Sequence, residues 1–169
     1  MVPSGHIFPS NVLATRTSRG PLFIFTAAML LHFVPLDAVP HIEPGSFAVG
    51  CLDMHHWTYW WTATDLAISS LITLGLFILL PDRRALIAAG YAGAILPDIL
   101  GVGIMCRYPN LPVLKTLYVF HQWVHWWPQH SNVYRVIGTI ATLAVWIVCY
   151  RLMPKLKPDE AIDDVEAVA

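Results

Sequence analysis

Long apolar runs alternate along the chain with short polar or basic connections, and the runs have the length and texture of helices. Residues 7–17 are modestly apolar and end at Arg16, Arg19 and Gly20, a cluster that stops a helix and opens a turn. Pro21 then stands at a favoured first-turn position of the next helix. The strongly apolar run it opens closes in LHFVPLDAVPH, residues 31–41. The two segments read as a helical hairpin, and antiparallel packing sets His6 and His32 at similar depth because they lie at similar distances from the turn. Residues 38–54 carry Pro40, Pro44, Gly45 and Gly50 and read as a loop or an interfacial segment. Residues 57–80 are long enough to span a bilayer. Trp57, Tyr59, Trp60 and Trp61 begin that run as the aromatic belt of one interface, and Asp65 follows on the membrane side of the belt.

The second half repeats the pattern. Pro81-Asp82-Arg83-Arg84 is a tight basic connection. Residues 85–105 form the next expected spanning helix, whose Ala88, Ala89, Gly90, Ala92, Gly93 and Ala94 permit close helix approach. Within it lies GAILPDIL, where Pro97 removes an intrahelical bond and kinks the helix just before Asp98. Residues 110–127 are apolar but carry Lys115, Trp123, Trp126 and Trp127, together with His121 and His125 at an i,i+4 spacing that puts both imidazoles on one helix face. Residues 133–153 are the last apolar segment, and the charged tail reads as disordered. The expected architecture is an all-α polytopic membrane bundle of about four to six helices, with one embedded domain over 1–153 and the tail over 154–169.

Composition supports the membrane assignment. The chain is 56% hydrophobic and 12% charged, against about 25% charged residues in an ordinary soluble domain. Its net charge of -1 offers no basic stripe to phosphates, which argues against nucleic-acid binding. Cys51, Cys106 and Cys149 fit neither thiolate-zinc nor redox spacing, and buried apolar cysteine is the expected state. No basic region precedes the first apolar run, so no cleavable signal peptide is expected.

Charge also suggests an orientation. Arg16 with Arg19, Arg83 with Arg84, and Arg151 with Lys155 and Lys157 mark three turns that belong on the cytoplasmic side. Threading the chain that way puts His6, His32, Asp37, His41, Asp65 and Asp98 toward the opposite side. His121 and His125 join them if residues 110–127 lie along the outer interface. Arg107, Lys115 and Arg135 run against the count and leave the direction of the last helix open.

An early histidine, an HxxxxDxxPH element, a helix with an aspartate, GAxLPD and then HxxxH together resemble the bacterial membrane-bound proteins classed as metal-dependent hydrolases, a family regarded as distantly related to zinc-dependent phospholipase C and single-strand nucleases. The residues that carry the likeness are His6, then His32, Asp37 and His41, then Asp65, Asp98, His121 and His125. The chain lacks that family's HRGxTHS element and has Ile99 and Leu100 where its members often have Asp-His. The resemblance implies a bacterial inner-membrane protein that holds zinc or another divalent metal through some of His6, His32, Asp37, His41, Asp98, His121 and His125. Asp65, or whichever carboxylate is left unligated, is the candidate general base, and a phosphoester, lipid-like or other small-molecule substrate is expected beside membrane lipid. The other reading is a non-enzymatic membrane protein whose acids and histidines form an ion or proton path or a structural polar network.

Overall fold

The computed structural model describes residues 3–37, 57–100, 112–124 and 132–154. All regular structure among the described residues is helical. Helix α1 (Pro3–Arg16) is followed by α2 (Pro21–Leu31), which the segment His32–Asp37, kinked at Val34, continues. Then come α3 (Trp57–Leu79), a 3-10 turn (Pro81–Arg83), α4 (Arg84–Asp98), α5 (Pro112–Val124) and α6 (Asn132–Leu152). The all-α expectation holds for these residues. Among the described residues one helix, over Thr62–Leu79, is long and apolar enough to cross a membrane; Pro21–Val34 and Val136–Leu152 are apolar but shorter.

Proline sets two of the boundaries. Val34 is extended (φ -137°, ψ 118°) inside the segment that follows α2, because the ring of Pro35 disfavours helical backbone in the residue before it. Pro97 lies inside α4, one residue before regular α geometry gives way to a π turn at Ile99 and Leu100. Residues 101–105 of the expected 85–105 helix lie outside the described residues.

Helix α1 sits in the middle, packed on α2, α3, α4 and α6, while α4 lies against both α1 and α2. Two glycines make that approach possible. A Cβ on Gly90 would stand 3.1 Å from the Ser10 carbonyl oxygen, and one on Gly93 would collide with the Phe25 carbonyl oxygen. Ala14, Ile24, Leu76 and Ile87 form the apolar core beside these contacts. Polar bonds tie the helices as well. Asn11 donates from Nδ2 to Thr73 Oγ1 at 2.8 Å, and Ser70 and Tyr91 pair their hydroxyls at 2.7 Å.

The ends of the bundle differ in charge. At one end Arg16 donates to the Leu152 carbonyl at 2.7 Å, Arg84 to the Phe77 carbonyl at 3.0 Å, and Arg83 to the Thr17 carbonyl. These carbonyls belong to the C-terminal ends of α6, α3 and α1, where unsatisfied acceptors and the helix dipole favour cations. The basic turns thus gather at one end. The Arg16–Leu152 contact also settles the course of α6, which runs toward this end alongside α1, with Phe8 edge-on to Trp146 at 6.4 Å.

Candidate metal centre

Three elements converge at the end of the bundle opposite the arginines. His6 comes from the end of the first turn of α1. His32 follows the last residue of α2, and Asp98 closes α4. The hairpin geometry brings the two imidazoles together: their rings stack with centroids 3.9 Å apart and planes 21° apart. Each of the three residues offers one ligand atom, and these atoms lie within 4.8 Å of one another. His6 and His32 are buried at 3% and 0% exposure, whereas the Asp98 side chain is 40% exposed and forms the open side of the group.

The protonation pattern of His32 follows from its surroundings. Its Nδ1 lies 2.8 Å from the Ala94 carbonyl oxygen. A carbonyl can only accept, so Nδ1 carries the hydrogen and Nε2 is the nitrogen that faces Asp98. The Nε2–Oδ1 separation is 3.5 Å, longer than the ~2.7–2.9 Å of a charge-assisted hydrogen bond. In a neutral imidazole that Nε2 is a lone pair set against a carboxylate. Two ligands each about 2.0–2.1 Å from a tetrahedral ion stand roughly 3.4 Å apart, close to what is found here.

Two electrostatic features favour a cation. Asp98 is the last residue of α4, where the helix dipole opposes negative charge. The stacked imidazoles at 3.9 Å repel each other if both are protonated, so the pair favours at least one neutral ring, the form that binds metal. Two imidazoles and a carboxylate form the donor set that zinc accepts. His6, His32 and Asp98 can therefore hold a metal ion.

The other residues singled out from the sequence fall differently. The side chains of Asp37 and His121, and the whole of His41 and His125, lie outside the described residues, as do His55, His56 and His130. Phe120, next to His121 in the chain, packs edge-on to Phe33 at 5.2 Å, so α5 lies against the segment that carries His32. Asp65 is not one of the three converging groups. Its Oδ2 accepts from the Ser4 backbone N–H and its Oδ1 from the Ser4 hydroxyl, both at 2.7 Å. Cys149 is a free, buried thiol, and Cys51 and Cys106 lie outside the described residues.

Sequence reasoning missed Ser4 and the Ala94 carbonyl. The one available signal for Ser4 was Pro3 before it, since proline followed by a small polar residue is common where a helix begins. A backbone carbonyl has no side-chain signature at all. No family model matches this chain, and neither the curated proteins nor the solved structures compared with it give a significant match.

Proposed function

We propose that this chain is an integral membrane protein, of the bacterial inner membrane type, that binds zinc or a similar divalent ion through His6, His32 and Asp98. We further propose that the site serves hydrolysis of a phosphoester or lipid-like substrate. The observation that carries the metal reading is the His32 arrangement: Nδ1–H is committed to Ala94, and Nε2 faces Asp98 at 3.5 Å with His6 stacked alongside. A bound divalent ion would supply Lewis acidity to a water and to an ester oxygen. The chain's own groups do the rest. Ala94 orients the His32 ring, as the outer hydrogen bond of a metal-ligating histidine commonly does. The half-open Asp98 side leaves access for a substrate. Among the described residues three protein donors converge, and three protein ligands with an open position is the pattern of catalytic rather than structural zinc.

The membrane reading draws on α3. Only 17% of its Thr62–Leu79 window is buried, whereas an apolar core helix of a soluble protein would be mostly covered. Ile68, Leu71, Leu74 and Ile78 on α3, and Val136, Ile140 and Ile147 on α6, are exposed and suit lipid contact. The arginine-rich end suits the cytoplasmic side. The hydrolytic assignment rests on the chemistry of the donor set and on the family likeness of LHFVPLDAVPH and GAILPD.

A second reading is favoured by the same pair. A protonated His32 facing Asp98 would be an ion pair serving a proton path or helix packing, with no metal. Elemental analysis of protein purified in mild detergent separates the two. We expect about one equivalent of metal per chain in wild type, and weakened binding that loses the metal during purification in His6→Ala, His32→Ala and Asp98→Asn while each still inserts and folds. His130→Ala should retain it. Wild-type protein without metal after expression and dialysis against zinc would leave the ion-pair reading. Activity is then sought on phosphoester and lipid-ester panels, comparing wild type with Asp98→Asn.

A further inference from the structure

Asp65 is the candidate base from the sequence, as a carboxylate left out of the ligand set. Its surroundings give it other work. Both carboxylate oxygens are engaged at 2.7 Å, by the backbone N–H and the hydroxyl of Ser4. Ser4 is 2% exposed and stands second in α1, directly after Pro3. Its N–H is one of the helix-start donors that has no acceptor within the helix, and a carboxylate there meets the positive end of the dipole. A capping oxygen usually comes from the residue just before a helix. This one comes from α3, 61 residues away.

The tie therefore fixes α1 against α3 in height and in rotation, besides satisfying its end. A second tie on the same two helices, Asn11 to Thr73, lies further along. Seven residues separate Ser4 from Asn11 and eight separate Asp65 from Thr73, so both ties belong to one register between the helices. His6 is two residues past Ser4. A slip of α1 by one residue would move His6 about 1.5 Å and turn it by roughly 100°, off the His32 ring. Helix α3 contributes none of the three converging ligands, yet it holds the turn from which His6 projects.

We propose that Asp65 is the positioning residue of the metal centre. It does not touch the ion; it locks the first turn of α1 so that His6 meets His32 and Asp98. The inference rests on reading those three residues as a metal site.

The test uses the full chain in detergent with Co²⁺ as the probe, because the visible absorption of bound cobalt reports its ligands. Asp65→Ala is expected to weaken cobalt binding about tenfold or more, within the range known for outer-shell partners of metal ligands, and to shift the spectrum toward that of His6→Ala. In a His6→Ala background, Asp65→Ala should cost no further affinity, because Asp65 acts only through His6. Ser4→Ala keeps the carboxylate and removes one of its two donors, so it should show a smaller change of the same kind even if Asp65→Ala folds poorly. Cobalt affinity and spectrum unchanged in both variants would overturn the proposal, as would a cost that adds in full to that of His6→Ala. Hydrogen exchange of the first amides of α1 in metal-free protein tells the two ideas apart. Faster exchange in Asp65→Ala with a wild type that binds no cobalt sinks the metal centre and reduces Asp65 to a helix cap. Unaltered exchange sinks the anchor itself, whatever the metal does.

Discussion

Replacing Gly93 by alanine probes how closely α2 and α4 must approach for His32 to reach Ala94 and Asp98. The added Cβ would run into the Phe25 carbonyl oxygen and stand 3.1 Å from Ala28 Cβ. Neither neighbour is the free end of a flexible side chain. One is backbone inside α2, and the other is fixed directly to it, so the helices themselves must part. Overpacking of this kind costs about 1–3 kcal/mol. It outweighs the ~0.5–1 kcal/mol that alanine ordinarily gains over glycine within a helix. Gly75 is the internal control, because a Cβ there meets nothing within 4 Å. Gly75→Ala should be neutral or stabilising by about 0.5–1 kcal/mol. Gly90→Ala falls between: its Cβ would lie 3.1 Å from Ser10 O and 3.3 Å from Ile24 Cγ2, and the latter is a side-chain tip that can turn aside. Unfolding in one fixed detergent should rank Gly75→Ala first, then wild type, Gly90→Ala and Gly93→Ala. Each ~1.4 kcal/mol is a factor of ten in the equilibrium constant. Metal content should fall in Gly93→Ala alone, since parting α2 from α4 opens the 3.5 Å gap between His32 and Asp98. A Gly93→Ala protein as stable as Gly75→Ala, with its metal retained, would refute the packing argument.

Four further outcomes follow from the same geometry. Metal retention should fall as pH drops through the ordinary imidazole range near about 6.5, because the ligand nitrogens must be deprotonated and acid therefore releases the ion; dialysis at stepped pH followed by elemental analysis checks it. Asn11→Leu breaks the buried bond to Thr73 and should cost about 1–2 kcal/mol, with Asn11→Leu/Thr73→Val less damaging than the sum of the single changes; unfolding of the cycle of variants decides. Arg16→Ala withdraws the donor to the Leu152 carbonyl and should speed hydrogen exchange in the last turn of α6 with little effect at the metal centre. In intact cells lacking native cysteines, Arg84→Cys should resist labelling from outside, and efficient labelling would invert the orientation.

The hairpin was readable because it depends on local signals. A basic turn with Gly20 and Pro21 sets two helices side by side, and equal distances from that turn are enough to bring His6 to His32. The close approach of α4 was readable too, since glycine and alanine crowd residues 88–94. The start of α1 was not. Ser4, His6, Ser10 and Asn11 are all buried, but as a string they look like a solvated terminus. Their burial is supported by partners on other helices, such as Asp65 and Thr73, and such pairing leaves no period in a sequence. Asp65 shows the same limit: depth signals an important carboxylate but cannot show that Ser4 is its partner. The direction of α6 was undecidable while Arg135 and Arg151 pulled opposite ways, and one long-range contact resolves it.

The central place of α1 has a consequence for when the protein becomes complete. This helix leaves the ribosome first, yet its contact with Leu152 closes across 136 residues. Alone in a bilayer it would carry Ser4, His6, Ser10 and Asn11 with no helix to receive them, a poor state for polar groups in hydrocarbon. If the chain is membrane-embedded as proposed, α1 would wait near the headgroups until α3 and α4 have inserted, and α6 would seal it last. His6 is thus the earliest ligand to be synthesised and the last to be seated. On the proposed membrane and metal readings, metal uptake would be a closing event of biogenesis, and a chain cut short before α6 would hold both later ligands without a finished site.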